Sequence, residues 1–245
     1  MIIIISGHGK GFNMNHDGLE IEFKWQASSN ADFERFLAHA RCLGAKIGPS
    51  KKIRIRDLYL DTESRYFART GLKCRLRRAG KDWQLTLKSF SGLKKGLAQR
   101  QEKEISLPRF KSRTLALRHV NGLAASLLAG EPLRGLFEIR NCRTLRRLKL
   151  AYGAKAEASF DQVLISRHGQ QVQMKEIEFE FLGGKLVCFK KFVHAITRSS
   201  GLQPQNKSKV ATAISAFGLE MIRKGAAQRS KQNFFHLAKR LSALL

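Results

Sequence analysis

Charged and apolar residues alternate strictly in two distant stretches of the chain, LEIEFKW at Leu19 to Trp25 and KEIEFEF at Lys175 to Phe181. Side chains two apart in a strand share a face, so Glu20, Glu22 and Lys24 oppose Ile21, Phe23 and Trp25. The second copy divides in the same way, with Glu176, Glu178 and Glu180 opposite Ile177, Phe179 and Phe181. The flanks of the two copies differ, which excludes a tandem repeat. Alternation returns in IRIRDLYL at Ile53 to Leu60, and again in GLKCRLRR and DWQLTLKSF, which read as a hairpin about Ala79-Gly80-Lys81. Further strands are expected over Ala98 to Leu107, from about Cys142 to Leu150, over Ala154 to Ser166 and over Gln171 to Phe181.

Helical spacing interrupts this series. Phe33, Phe36, Leu37 and Ala40 form one stripe in Asn30 to Leu43, closed by Gly44. Helices are also expected over Leu115 to Leu128, ended by Gly130 and Pro132, and over Leu186 to Thr197. About eight strands with helices inserted between them make an α+β pattern, and that number closes a small barrel. Phe234, Leu237, Ala238, Leu241 and Leu245 mark a last, basic amphipathic helix. The chain is therefore divided into an N-terminal extension at 1–13, a main domain at 14–219 and a C-terminal helical segment at 220–245.

Charge sharpens the picture. Lysine and arginine number 46 against 19 acidic residues, a formal charge of +27, which points to a polyanionic partner. Cys42, Cys74, Cys142 and Cys188 have no CxxC spacing, so neither zinc nor disulfide chemistry is expected, and a cytoplasmic location follows from reduced thiols. No segment is apolar enough to span a membrane, and the opening MIIIISGHGK lacks the basic start and cleavage site of a signal peptide. The GHGKG stretch lacks the spacing of a phosphate-binding loop.

Three carboxylates on one strand face repel each other, and a divalent cation removes that objection. If the inserted helices cover the apolar faces, the charged faces must look inward. Arg75, Arg77, Lys88 and Lys24 would then oppose carboxylates across a narrow lumen.

These residues resemble the CYTH domain of the triphosphate tunnel metalloenzymes. The resemblance is carried by ExExK at Glu20 to Lys24, YLDT at Tyr59 to Thr62, and GLxLRxR, matched by Gly71, Leu72, Arg75 and Arg77. It continues with Thr86 and Lys88, the strand bearing Glu102, Arg143, Asp161, the ExExE of Glu176 to Glu180, and Lys209. The resemblance implies an eight-stranded antiparallel tunnel in which Lys24, Arg75, Arg77, Lys88, Arg143 and Lys209 hold a triphosphate. Lys24, Arg75, Arg77 and Lys88 are the expected catalytic group among them. Glu20, Glu22, Glu102, Asp161, Glu176 and Glu178 would hold Mg²⁺ or Mn²⁺. The implied activity is hydrolysis of inorganic triphosphate or another short phosphoanhydride, with thiamine triphosphatase and adenylate cyclase as alternatives in the same fold. A non-catalytic module binding polyphosphate or RNA is the reading of a different class, and the basic surface offers a further contact for a polyanion. The oligomeric state is left open. Two departures from the family pattern are Arg146, near which an aromatic is common, and Val163, near which a glycine is common.

Overall fold

The computed structural model describes residues 19–89, 95–219 and 226–242. The N-terminal extension at 1–13, with its GHGKG stretch, and part of the loop after Ser89 lie outside the described residues. Nine strands, all paired antiparallel, run β1 (Leu19–Gln26), β2 (Lys46–Ile47), β3 (Lys51–Asp61), β4 (Leu72–Ala79), β5 (Asp82–Ser89), β6 (Leu97–Leu107), β7 (Arg134–Lys149), β8 (Lys155–Arg167) and β9 (Gln170–Gly183). The order β7-β3-β4-β5-β6-β1-β9-β8 returns to β7, so eight strands close a barrel, with β2 a two-residue addition to β7. Among the described residues six α-helices complete the α+β fold: α1 (Asn30–Cys42), α2 (Tyr66–Thr70), α3 (Arg113–Ala124), α4 (Leu186–Ser200), α5 (Lys209–Ala216) and α6 (Ala226–Ser242).

The two alternating stretches are neighbours. β1 pairs with β9 so that Phe23 meets Phe179, Glu22 meets Glu180 and Lys24 meets Glu178. Their apolar faces look outward into a cluster with Phe33, Phe36 and Leu37 of α1 and Phe189, Phe192 and Ile196 of α4. Trp25 is fully buried there and donates its indole N–H to Thr197 Oγ1 at 3.0 Å, which ties α4 to β1. Ser29 caps α1 in a reciprocal capping box with Asp32.

A second cluster covers β4, β5 and β6 from outside. Leu72, Cys74, Leu76, Trp83, Leu85 and Leu87 pack there against Ala116 and Val120 of α3 and Phe234, Leu237 and Leu241 of α6. Asp61 and Thr62 serve the short helix α2. Asp61 accepts backbone N–H bonds from Phe67 at 2.8 Å and Ala68 at 3.3 Å, and the Thr62 hydroxyl accepts one from Tyr66 at 3.1 Å.

A third cluster lies inside the barrel at one end. Phe137 and Ile139 share parity with Asn141 and Arg143, which line the lumen, and they pack with Val163, Ile165 and the Val210, Ala213 and Phe217 of α5. Helix α5 thus forms a floor under that end. The Val163 departure sits in this apolar layer, and Arg146 turns outward to donate to the Gly48 carbonyl at 3.1 Å.

Candidate active site

Because the apolar strand faces are taken by helices, the charged faces of β1, β3, β4, β5, β6 and β9 line a lumen of about 700 Å³. Its side chains form a belt in which sign alternates from one contact to the next. Lys209 meets Glu178 at 2.7 Å, Glu178 meets Lys24, Lys24 meets Glu22 at 3.3 Å, and Glu22 meets Arg100 at 2.5 Å. The series goes on from Arg100 to Glu20 at 2.6 Å, Glu20 to Lys88 at 3.3 Å and Lys88 to Glu102 at 2.6 Å. It ends from Glu102 to Arg75 at 3.4 Å, Arg75 to Asp57 at 3.4 Å and Asp57 to Arg77 at 2.8 Å. The twelve residues expected to hold phosphate or metal belong to this belt or to the group at its β8 and β9 end. Buried ion pairs add little to stability relative to an apolar filling. So long a series therefore argues for a charged ligand rather than for the fold.

Asp161, Glu176 and Glu178 form the densest part. They offer ligand oxygens within 4.8 Å of one another, the grouping among the described residues with a geometry suited to a metal ion. The donor set is hard oxygen, which Mg²⁺ and Mn²⁺ prefer. Glu176 Oε2 is buried without a hydrogen-bond partner, an acceptor still available to a cation. The Lys209 ammonium sits among the three carboxylates, touching Asp161 at 2.7 Å, the other oxygen of Glu176, and Glu178. Arg143 donates to Asp161 at 2.7 and 2.6 Å and also to Glu178. A metal ion in the trio would share or take the place of the ammonium.

Local folding explains how Lys209 arrives there. Beyond Phe23, β1 is no longer paired with β6, and the segment before α5 takes its place. Gln26 N–H donates to Gln203 O at 2.8 Å and Gln205 N–H to Lys24 O at 2.9 Å. Ser208 then caps α5 by accepting from Ala211 N–H at 3.1 Å, which leaves Lys209 as the first helical residue, pointed into the lumen.

Protonation follows from the same contacts. Burial would raise the carboxyl of Glu178, but Lys209, Lys24 and Arg143 hold it well below the usual range. Burial pushes Glu176 up to about 6 despite Lys209 and Lys24. Across from Glu22, burial and the charges of Glu20, Glu22 and Glu102 push Glu180 up to about 8.

The six expected carboxylates separate into two groups. Asp161, Glu176 and Glu178 converge, whereas Glu20, Glu22 and Glu102 lie further round the belt, engaged by Lys88 and Arg100. Arg75, Arg77 and Lys88 stand together at the β4 and β5 side, and Lys24, Arg143 and Lys209 at the other. Among the lumen residues outside the sequence selection, three stand in contact with or beside the selected ones. Asp57 receives both Arg77 and Arg75, Arg100 bridges Glu20 and Glu22, and Lys73 lines the wall, where burial and the nearby Arg100, Lys88 and Lys24 bring it down to about 7. Strand parity signals two of them, since Arg100 lies two residues from Glu102 and Lys73 two from Arg75.

Comparison with known proteins agrees with this geometry. The CYTH domain model matches residues 18–214, and the chain belongs to the CYTH family. Its barrel is the triphosphate tunnel fold, with an acidic cluster inside. None of the curated proteins matches the chain. Among solved structures, the Hippeastrum protein HpAC1, described as a candidate adenylyl cyclase with a dominant triphosphatase activity, superposes with a TM-score of 0.57 at 17% identity, covering 80% of this chain and 95% of that one. The PH1819 protein from Pyrococcus horikoshii OT3 gives 0.51 at 19% identity, covering 80% and 98%. Both show the same fold.

Proposed function

We propose that the protein hydrolyses inorganic triphosphate, or a short polyphosphate or organic triphosphate, with Mg²⁺ or Mn²⁺ held by the tunnel carboxylates. The observation that carries this reading is the alternation of sign along the belt. An anion entering alone would leave carboxylates facing it, and a cation entering alone would meet ammonium and guanidinium groups. A metal and a polyphosphate entering together would exchange partners with the belt: the lysines and arginines would take phosphate oxygens, and the carboxylates would hold the metal.

Asp161, Glu176 and Glu178 are the metal ligands in this proposal, with Glu20, Glu22 and Glu102 at the second carboxylate group. A metal held there would neutralise charge on the reacting phosphoryl group and lower the pKa of a bound water. Arg75, Arg77, Lys88 and Lys24 grip phosphate oxygens, the guanidiniums as forks and the ammoniums as point charges, and Arg143 and Lys209 do so nearest the metal. Held in line, the terminal phosphorus is attacked by water, the anhydride P–O bond breaks, and the shortened phosphate leaves with the electron pair. The triphosphatase activity described for HpAC1 agrees with this reading.

Phosphate release from inorganic triphosphate, ATP, thiamine triphosphate and long polyphosphate, each with Mg²⁺, Mn²⁺ or EDTA, is the test. The expected result is metal-dependent release that is greatest for inorganic triphosphate and absent in EDTA. No release from any substrate with either metal would leave the tunnel a binding module.

A further inference from the structure

The tunnel does not account for the charge of the chain. More than half of the 19 acidic residues line the lumen or the trio beside it, matched there by the lysines and arginines of the belt. The formal charge of +27 is therefore carried almost wholly by the rest of the molecule.

Helices cover two sectors of the barrel exterior, α1 and α4 over β1, β8 and β9, and α3 and α6 over β4, β5 and β6. Between them, the middle of β3 and β7 bears no helix among the described residues. Its outward positions include Lys52, Arg54 and Arg56 on β3, Arg140, Cys142, Thr144 and Arg146 on β7 and, next to Arg56, Arg78 on β4. Arg78, Arg56 and Arg140 stand side by side on three adjacent strands. Like charges directly opposite each other destabilise a sheet, so folding does not explain the row. Glu138 offsets part of it, accepting from Arg140 at 2.7 Å and from Arg113 at 2.6 Å. Among the described residues no carboxylate pairs with Lys52, Arg54 or Arg56, all three exposed.

We propose that this wall is a docking surface for the phosphate backbone of double-stranded nucleic acid. Cations two apart along a strand lie about 6.8 Å apart and neighbouring strands about 4.8 Å, so the wall is a two-dimensional array rather than a single track. Guanidiniums dominate it, and their forked donors fit phosphate oxygens. Single strands are bound by stacking bases on exposed aromatics, and membrane surfaces by inserting apolar side chains. Among the described residues the large exposed hydrophobics, Leu115, Tyr152, Val187 and Phe235, all lie off the wall. What the wall offers is charge on a broad face, which suits a duplex backbone and reads no sequence. This surface stands apart from the tunnel and does not depend on hydrolysis.

The test is fluorescence anisotropy of a mixed-sequence duplex of about 25 base pairs with the full chain across a salt series, since each phosphate contact contributes about 0.9 to the salt slope. Replacing Lys52→Gln, Arg54→Gln and Arg56→Gln together should lower the slope by about 2–3 and weaken binding at low salt by at least about tenfold, with no fall in melting temperature. Cys142 supplies an independent readout, because it is exposed and is the register partner of Arg54. Duplex should slow its alkylation while leaving Cys42, exposed on α1, unaffected. Unaltered binding by the triple variant, no protection of Cys142, or equal or tighter binding of single strand or of phosphatidylserine vesicles would each overturn the proposal.

Discussion

Asp57 holds Arg75 and Arg77 in place, accepting two 2.8 Å bonds from the Arg77 guanidinium and a longer one from Arg75. Burial alone would raise its carboxyl, but the two guanidiniums bring it down to about 2, against 3.8 for a free side chain. A depressed carboxyl gives stability that is fully present above the unfolded value and is lost as pH falls through the folded one. The window therefore runs from 3.8 down to about 2. Asp57→Asn should cost about 2 kcal/mol at neutral pH and flatten the acid limb of a urea-denaturation series. Parallel acid limbs in the two proteins would remove Asp57 from this role. Gly96 is a second residue fixed by its surroundings. It has φ +83°, its carbonyl accepts Lys24 N–H at 2.8 Å, and an added Cβ would lie 2.6 Å from the Phe23 ring and 2.8 Å from Lys24 O. Gly96→Ala should cost more than the roughly 1–3 kcal/mol of the backbone conformation alone. Equal melting temperatures would contradict the contact.

At the scale of elements, α6 buries Phe234, Leu237 and Leu241 against the outer faces of β4, β5 and β6, and Phe234 and Phe235 also belong to the wall of the cavity. Leu237→Ala should cost about 2–5 kcal/mol, read as a lower denaturation midpoint. A chain cut after Leu219 should melt lower and bind a hydrophobic dye, because its second cluster is uncovered; unaltered melting would show that α6 covers nothing the barrel needs. Strands and main helices were legible because each buries one face, which gives a clean period. β7 begins eight residues before the expected strand, at Arg134, because its first part faces the apolar floor and its second the charged lumen. The meaning of parity changes along that one strand. Helix α2 is five residues long, too short for a period to show, and its signal was the Asp61-Thr62 pair, which caps it. Asp57 was hidden for a related reason, since it shares a face with Ile53 and Ile55.

At the scale of the whole molecule, a single sequence could show that β1 and β9 carry matching charged faces but not that they are adjacent, because a pairing across 154 residues leaves no local trace. The same holds for the Arg100 bridge and for the place of Lys209 among three carboxylates, both of which are set by closure of the barrel and by α5 beneath it. Closure also sorts charge, gathering acids inside and leaving the bare β3 and β7 wall cationic. Partner exchange within the belt makes a specific demand: triphosphate and metal must bind better together than apart. Calorimetric titration of triphosphate with Mg²⁺ and with EDTA, on the wild type, Glu178→Gln and Arg75→Ala, measures this directly. The account predicts at least about tenfold tighter binding with Mg²⁺ in the wild type, about 1.4 kcal/mol of coupling. It predicts that the gain is lost in Glu178→Gln, which still binds triphosphate, and that Arg75→Ala binds weakly in both conditions. Wild-type affinity that is the same with Mg²⁺ and with EDTA would contradict it.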